Sequence, residues 1–303
     1  MMKYKIYKLY FKTGLRIGNG KIDSSVVEIP ADIIFSAIIN EAAQDEEKIE
    51  TILEEFKNRK LIISNAFPFI GEELFLPKPL LNISDNIGDS TEKKLYKKIN
   101  HIPLSLWNEY IKGKSNPKEI VKLNKKLGKS ALDTKIYKKD ENEIYNLSYY
   151  RFYEGNGLYF ILGYEEDYEL FDDILYSLSF TGIGGKKTSG LGKFEMEEDD
   201  IPENLKNKLN NEKSKMLLAS SMARIEELET LDQEAKYKII RRGGFSYSQD
   251  IRGSKKPTFK KHTMYYFDTG SIFNNKFEGD IFEIGENEYH KIYRYGVPLW
   301  MEV

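Results

Sequence analysis

The chain has 303 residues, no cysteine, three histidines and a formal net charge of −2. Its length suits one large or two ordinary domains, two being expected, and a 40% hydrophobic share supports real cores. Without cysteine there is no disulfide framework and no thiolate zinc site. Without a signal-like apolar segment or an apolar run of membrane length, a cytoplasmic chain is expected.

In chain order, residues 4–12 alternate lysine with tyrosine, leucine and phenylalanine, which predicts a strand, and Gly18-Asn19-Gly20 predicts a loop tip. Pro30 opens a helix through about Ala43 whose Ile33, Ile34, Ala37, Ile38 and Ala42 form an apolar face, with Asp32 placed to favour its dipole. Ile49, Ile52, Leu53 and Phe56 mark a second helix, and residues 61–63 and 73–76 read as loosely paired strands. From Asn82 to about Glu143 the chain turns lysine-rich and is broken by glycines, which predicts an insertion in the first domain. Residues 157–164 predict a strand, 167–179 a helix with an acidic first turn, and 193–196 a further strand. Without the insertion the order is β-α-β-β-α-β, the split-βαβ, RRM-like arrangement. Charged residues 197–214 read as a connection between domains. Strands are predicted after it at 215–224, 237–242, 265–268, 271–273, 280–284 and 292–301, with a Glu-rich helix at 225–235. A second, smaller ferredoxin-like domain over 201–303 fits that order.

The small net charge conceals segregation. Residues 91–139 hold fourteen lysines against four carboxylates, and residues 236–262 hold nine lysines and arginines against Asp250 alone. Residues 41–55, 165–173 and 195–203 are acidic in compensation. Basic segments with aromatics interleaved suit RNA, and acidic ones suit basic protein partners or a solvated surface.

Between the predicted helix and strand lies Phe180-Thr181-Gly182-Ile183-Gly184-Gly185-Lys186-Lys187-Thr188-Ser189-Gly190-Leu191-Gly192-Lys193-Phe194. Five glycines in eleven positions allow successive N–H groups to form a concavity for an anion, and two lysines and two hydroxyls suit phosphate. A nucleotide P-loop is excluded by order and context: Lys187 stands where a hydroxyl is required, and the loop follows a helix instead of a strand. A purely connecting turn accounts for two or three of the glycines.

A helix, a G-x-G-G-K-[KR]-x-x-G-x-G-x-[FY] loop and an edge strand resemble the glycine-rich loop of the RAMP superfamily of CRISPR proteins. The stretches Ile29-Pro30-Ala31-Asp32-Ile33-Ile34-Phe35-Ser36-Ala37-Ile38 and Leu76-Pro77-Lys78-Pro79-Leu80 narrow the resemblance. So do Gly279-Asp280-Ile281-Phe282 and the run from Tyr293-Arg294-Tyr295-Gly296 to Val303. Together they are similar to the family of the fourth subunit of the type III-A Csm effector complex, with the equivalent type III-B cap subunit as an alternative. The resemblance implies an α+β fold of two tandem ferredoxin-like (RRM-like) domains, 1–200 and 201–303, with a Lys-rich thumb-like insertion at about 82–143 in the first. It also implies a subunit that caps the 5′ repeat-derived tag of the guide RNA (crRNA). Its neighbours would be the large polymerase-like signature subunit and the repeated backbone RAMP subunit, with target RNA contacted indirectly.

On this reading Gly182, Gly184, Gly185, Lys186, Lys187, Ser189, Gly190 and Gly192 hold the phosphodiester backbone of the guide. Arg241, Arg242, Gly243, Gly244 and Phe245 form a second candidate clamp, an exposed arginine turn being the competing reading, and Arg16, Asn19 and Lys21 a weaker third. Tyr96, Trp107, Tyr110 and Tyr137 in the insertion either pack a small extension or wedge against RNA, and on the wedge reading residues 93–139 are expected to be removable without loss of the fold. No catalytic residue, cofactor or metal is expected. Asp23 lacks the pattern of the target-cutting subunits, and His101 has no near neighbour in sequence to make it a base. His262 with His290 is the remaining case for the alternative, a metal-independent endoribonuclease that processes guide precursor.

Overall fold

The computed structural model describes residues 2–18, 25–81, 90–138, 142–244, 262–286 and 291–303, and its mixed α/β architecture is dominated by antiparallel sheet. The alternating N-terminal run forms β1 (Lys3–Phe11), followed by the short pair β2 (Ile17–Gly18) and β3 (Ser25–Val26). Then come α1 (Ala31–Ala42), α2 (Glu46–Lys57), β4 (Leu61–Ile63), β5 (Phe67–Ile70) and β6 (Glu73–Pro77). The carboxylate of Asp45 starts α2 by accepting from the amides of Glu47 and Lys48 at 3.1 and 3.2 Å, a cap worth about 1 kcal/mol.

The lysine-rich stretch folds as α3 (Ser90–Lys98), β7 (His101–Pro103), α4 (Trp107–Ile111), α5 (Pro117–Asn124) and β8 (Gly128–Lys138). β9 (Asn142–Phe152), β10 (Asn156–Tyr164), α6 (Glu169–Thr181) and β11 (Phe194–Asp200) complete the first part. Seven strands make one sheet in the order β11-β1-β10-β5-β6-β7, with β4 also paired to β10. Strand β10 is buried along its whole length, as an unbroken apolar run in a central strand should be. On the helix side Tyr7 stacks on Phe160 at 5.3 Å, and Phe171 of α6 packs on both rings. Phe35 and Phe56 bring α1 and α2 into the same aromatic core, where each buried ring contributes about 2–3 kcal/mol.

Of the two readings of the insertion's rings, packing is the one observed. Tyr96, Trp107 and Tyr110 are at most 4% exposed, and Tyr96 and Tyr110 lie 5.9 Å apart within the main core. These rings pack and cannot wedge; the Tyr137 side chain lies outside the described part. Because α3, α4 and α5 bury their apolar faces in that core, the segment is no removable appendage. What projects instead is the β8–β9 hairpin, in unbroken register from Gly128 opposite Phe152 to Lys138 opposite Asn142.

The C-terminal part comprises α7 (Glu203–Lys206), β12 (Ser214–Leu217), α8 (Ile225–Leu228), β13 (Ile239–Arg242), β14 (Met264–Phe267), β15 (Ile281–Glu286), β16 (Lys291–Tyr295) and β17 (Trp300–Glu302). Among the described residues these strands form three separate ribbons, β12–β17, β13–β14 and β15–β16. The predicted strand over 215–224 ends at Leu217 because the following amides change partners. Leu218 donates to Leu299, Ser221 to Phe267 and Met222 to Gly296, so the segment ties the ribbons together. The predicted helix over 225–235 stops after one turn; the carboxylate of Asp232 instead accepts from the amides of Asn274 and Asn275.

One hydrophobic cluster runs across the two parts, from Tyr7 and Phe160 to Met216, Leu218, Tyr295 and Met301. Polar ties cross as well. The side-chain carbonyl of Asn65 accepts from the amides of Ala31 and Ser220, both at 2.8 Å, and Tyr295 OH accepts from the amide of Ile63 at 2.9 Å. A smaller aromatic cluster of Phe267, Phe273, Phe277 and Trp300 sits within the C-terminal part.

Candidate nucleic-acid interface

The glycine loop leaves the end of α6 and returns into β11 along the edge of the sheet. Its shape is fixed by close backbone approach. A Cβ on Gly192 would lie 2.0 Å from the carbonyl oxygen of Ile183, and one on Gly184 2.5 Å from that of Arg16, so neither position admits a larger residue. Ile183 donates to Gly192, Gly185 to Arg16 and Gly192 to Gly14, each at 2.9 Å. Thr13 adds a hydroxyl bond to the carbonyl of Gly190.

Thus the amides of Gly182, Gly185 and Gly192 are engaged by the carbonyls of Leu178, Arg16 and Gly14, and those of Ser189 and Gly190 by Lys186 and Lys187 within the loop's own turn. Those amides are occupied within the protein, and the side chains at the tip of the loop face outward. Lys186 adopts the left-handed conformation, with φ +63°, and is exposed together with Thr188 and Ser189, while Lys187 is half-exposed.

Below the loop lies the base of the hairpin. Leu191 packs with Leu147 and Tyr149, and Leu15 exchanges two backbone hydrogen bonds with Tyr150 at 2.8 Å. Arg16 is 8% exposed; its guanidinium donates to the carbonyl of Ser148 while its own carbonyl accepts from Gly185. Arg16 therefore braces the loop against the hairpin. On the exposed side of the same base, Lys129 and Arg151 stand directly opposite each other, a like-charge pair that a bound anion relieves. The Arg151 guanidinium lies over the Tyr149 ring at 5.6 Å.

The second predicted site is divided by the strand pleat. Arg241 is exposed beside its cross-strand partner Tyr265, whereas Arg242 turns inward. There Asp32, 1% exposed, pairs with Arg294 at 3.1 Å and approaches Arg242 Nε at 3.8 Å, while Arg294 also donates to the carbonyl of Gly243 at 3.2 Å. Asp32, expected to serve the helix dipole, is thus the anion of a buried charge cluster. Among the described residues its Oδ1, Tyr266 OH and the Nε atoms of Arg242 and Arg294 find no hydrogen-bond partner. Phe245, Asn19, Lys21, Asp23 and His290 lie outside the described residues.

One cluster was missed from the sequence. His101 Nε2 lies 3.2 Å from Glu28 Oε2, and Glu28 Oε1 accepts from Asn65 and Thr269 at 2.6 and 3.1 Å. Burial penalises the Glu28 carboxylate, but His101, Asn65 and Thr269 together hold its pKa below the usual value. His101 therefore does have a carboxylate partner, 73 residues away in the chain. Among the described residues there is no His/Cys/Asp/Glu group that could hold a metal, and no helix long and apolar enough to cross a membrane.

Comparison with known proteins agrees with this build. Residues 8–195 match the RAMP superfamily, and residues 210–303 match the CRISPR Csm4 C-terminal domain. The Csm4 proteins of Mycobacterium tuberculosis (strain CDC 1551 / Oshkosh) and Streptococcus thermophilus are each 29% identical, covering 94% and 100% of this chain and 93% and 99% of their own. The fold is that of Csm4 in a crystal structure of a Csm3–Csm4 subcomplex from a type III-A CRISPR-Cas interference complex (TM-score 0.66, 22% identity, 98% of this chain and 99% of that one). A Csm1–Csm4 cassette in complex with cA4 gives a TM-score of 0.63 at 20% identity, covering 99% of both chains. The chain belongs to the RAMP superfamily and, within it, to the Csm4 family of CRISPR proteins.

Proposed function

We propose that this chain is a non-catalytic RNA-binding subunit of a type III-A CRISPR interference complex, one that caps the 5′ repeat-derived tag of the guide RNA. The observation that carries the reading is the glycine loop. Its backbone is tied to Gly14, Arg16 and Ile183, and that rigid frame presents Lys186, Lys187, Thr188 and Ser189 outward above the Lys129–Arg151 pair. Cations and hydroxyls held in place ahead of binding suit a phosphodiester chain, which is held mainly by charge and recognised on its unstacked bases.

The β8–β9 hairpin takes the role of the thumb on this reading, and the C-terminal ribbons that of a second, reduced RRM-like unit. Neighbours would be the large signature subunit and the backbone subunit, in the manner of the Csm1–Csm4 and Csm3–Csm4 assemblies of the relatives. Absence of catalysis is part of the proposal. It is supported by the place of His101, which is held with Glu28 in a network that also engages Asn65 and Thr269.

The test is to express the tagged chain with its operon and CRISPR array and to sequence the 5′ ends of the RNA that comes with it. A uniform repeat-derived 5′ end with variable 3′ ends is expected; scattered 5′ ends overturn the capping role. Replacing Lys186 and Lys187 together by alanine should lower guide affinity and reduce the slope of log affinity against log salt by about 1.4, two single-strand phosphate contacts. An unchanged slope removes the loop from the interface.

A further inference from the structure

The β13–β14 ribbon carries an open face that the glycine loop does not explain. Strand residues two apart share a face and recur about 7 Å apart. On β13 that face bears Ile239, 53% exposed, and Arg241; opposite Arg241 stands Tyr265, 64% exposed. One residue pair before Ile239 is Tyr237, 49% exposed, whose ring stacks on Phe273 with an interplanar angle of 3°. Tyr237 also lines a cleft of about 580 Å³ together with Lys236, with Lys78, whose ammonium donates to the Tyr96 carbonyl, and with Asp232, whose carboxylate accepts from the Asn274 and Asn275 amides.

Large apolar side chains on one face of a ribbon normally find a cover. What covers these is indicated by charge. Residues 236–242 contain Lys236, Lys238, Arg241 and Arg242 and no carboxylate, and residues 262–267 contain none either. Lys238 is neutralised by Asp268 at 2.7 Å and Arg242 is turned toward Asp32, which leaves Arg241 on the face with the rings and Lys236 exposed in the adjoining cleft. Exposed rings flanked by cations match a chain of bases and phosphates, whereas a protein surface would have to supply acidic groups beside its apolar ones.

We propose that this face and the adjoining cleft seat two or three unstacked nucleotides of single-stranded RNA. Tyr265 and Tyr237 offer ring faces to bases, Ile239 packs between them, and Arg241 and Lys236 meet phosphates. The proposal rests on the RNA-binding reading above and extends it to a second contact surface, on the C-terminal part of the chain.

The experiment uses the complex purified around the full chain with its guide RNA carrying 4-thiouridine, irradiated and mapped by mass spectrometry. Cross-links are expected in the peptide around Lys186 and in those around Tyr237 or Tyr265. Tyr265→Leu keeps apolar bulk but removes the ring, and should weaken guide binding by the full chain roughly five-fold or more, while Tyr265→Phe stays near the parent. Cross-links at the glycine loop with none on the ribbon overturn the track and leave the capping reading standing. Cross-links at neither overturn both. Unchanged RNA affinity in Tyr265→Leu with reduced recovery of a protein subunit also overturns it, and makes the face a protein dock.

Discussion

Two places in this molecule combine glycine with paired basic residues, and the chain treats them in opposite ways. In the glycine loop the backbone is locked. Gly192 and Gly184 sit where a Cβ would strike a carbonyl, and six of the loop amides are engaged within the protein. At the turn after β13, a Cβ on Gly243 would meet nothing closer than Thr263 Oγ1 at 3.5 Å and one on Gly244 nothing within 4 Å. Beneath that turn two guanidiniums crowd one carboxylate and several polar atoms stay unsatisfied among the described residues. One site is a crowded backbone that presents outward side chains; the other is an uncrowded backbone over a buried charge cluster. The same residue types therefore do different work: glycine answers to crowding in the first, whereas in the second Gly244 answers only to its φ of +120°.

The sharpest way to break this comparison is through the charge cluster. Removing one member of a buried ion pair leaves the other without compensation, which typically costs about 3–5 kcal/mol. Asp32→Ala would strand Arg294, only 5% exposed, and is expected to lower unfolding free energy by about that much in urea titrations. A loss under 1 kcal/mol would mean that water already compensates the arginines. Next in size is Gly192→Ala. Its φ of +83° and its 2.0 Å approach to Ile183 together predict a loss of about 3 kcal/mol, read as a lowered denaturation midpoint. An alanine tolerated there would show that the loop is not locked.

Glu28 supplies the control, since it lies in the same seam between the two parts but has both oxygens filled by His101, Asn65 and Thr269. Its folded pKa is held below the usual 4.5, so its contribution is complete above the unfolded value and is lost as pH falls through the folded one. Glu28→Gln should therefore cost about 2 kcal/mol at neutral pH, with the gap to the parent closing as pH drops below 4.5. A gap that stays constant with pH would assign the loss to packing instead of charge.

Local pattern made much of the frame legible. The alternation in residues 4–12 gave β1, the apolar spacing after Pro30 gave α1, and the helix–glycine loop–strand order placed the loop at the sheet edge beside β1. What stayed hidden depends on long-range partners. Trp107 and Tyr110 read equally well as a wedge or as core, and only the packing of α3 to α5 decides between them. The β8–β9 hairpin stayed hidden because the lysines of β8 merge it with the lysine-rich stretch before it, although β9 has no lysine and carries three tyrosines. The Asp32–Arg294 and Glu28–His101 pairs join residues 262 and 73 positions apart, beyond any local rule. One signal was available and unused: strand periodicity alone puts Arg241 and Arg242 on opposite faces, so a clamp made of both was never compatible with a strand there.

The smallest effect is the most discriminating within the loop itself. Gly190 has nearly the same φ as Gly192, +84° against +83°, but a Cβ placed on it meets nothing within 4 Å. Conformation and crowding are thereby separated at two positions of one loop. If crowding dominates at Gly192, Gly190→Ala should cost only the left-handed penalty of about 1 kcal/mol, or roughly 2 °C in the melting temperature of a chain this size. Its guide affinity should stay near that of the parent, because the Gly190 amide already donates to Lys187. A loss as large as that of Gly192→Ala would put the strain in the backbone conformation alone. A loss of affinity without a loss of stability would bring RNA close against the tip of the loop, next to Lys187 and Ser189.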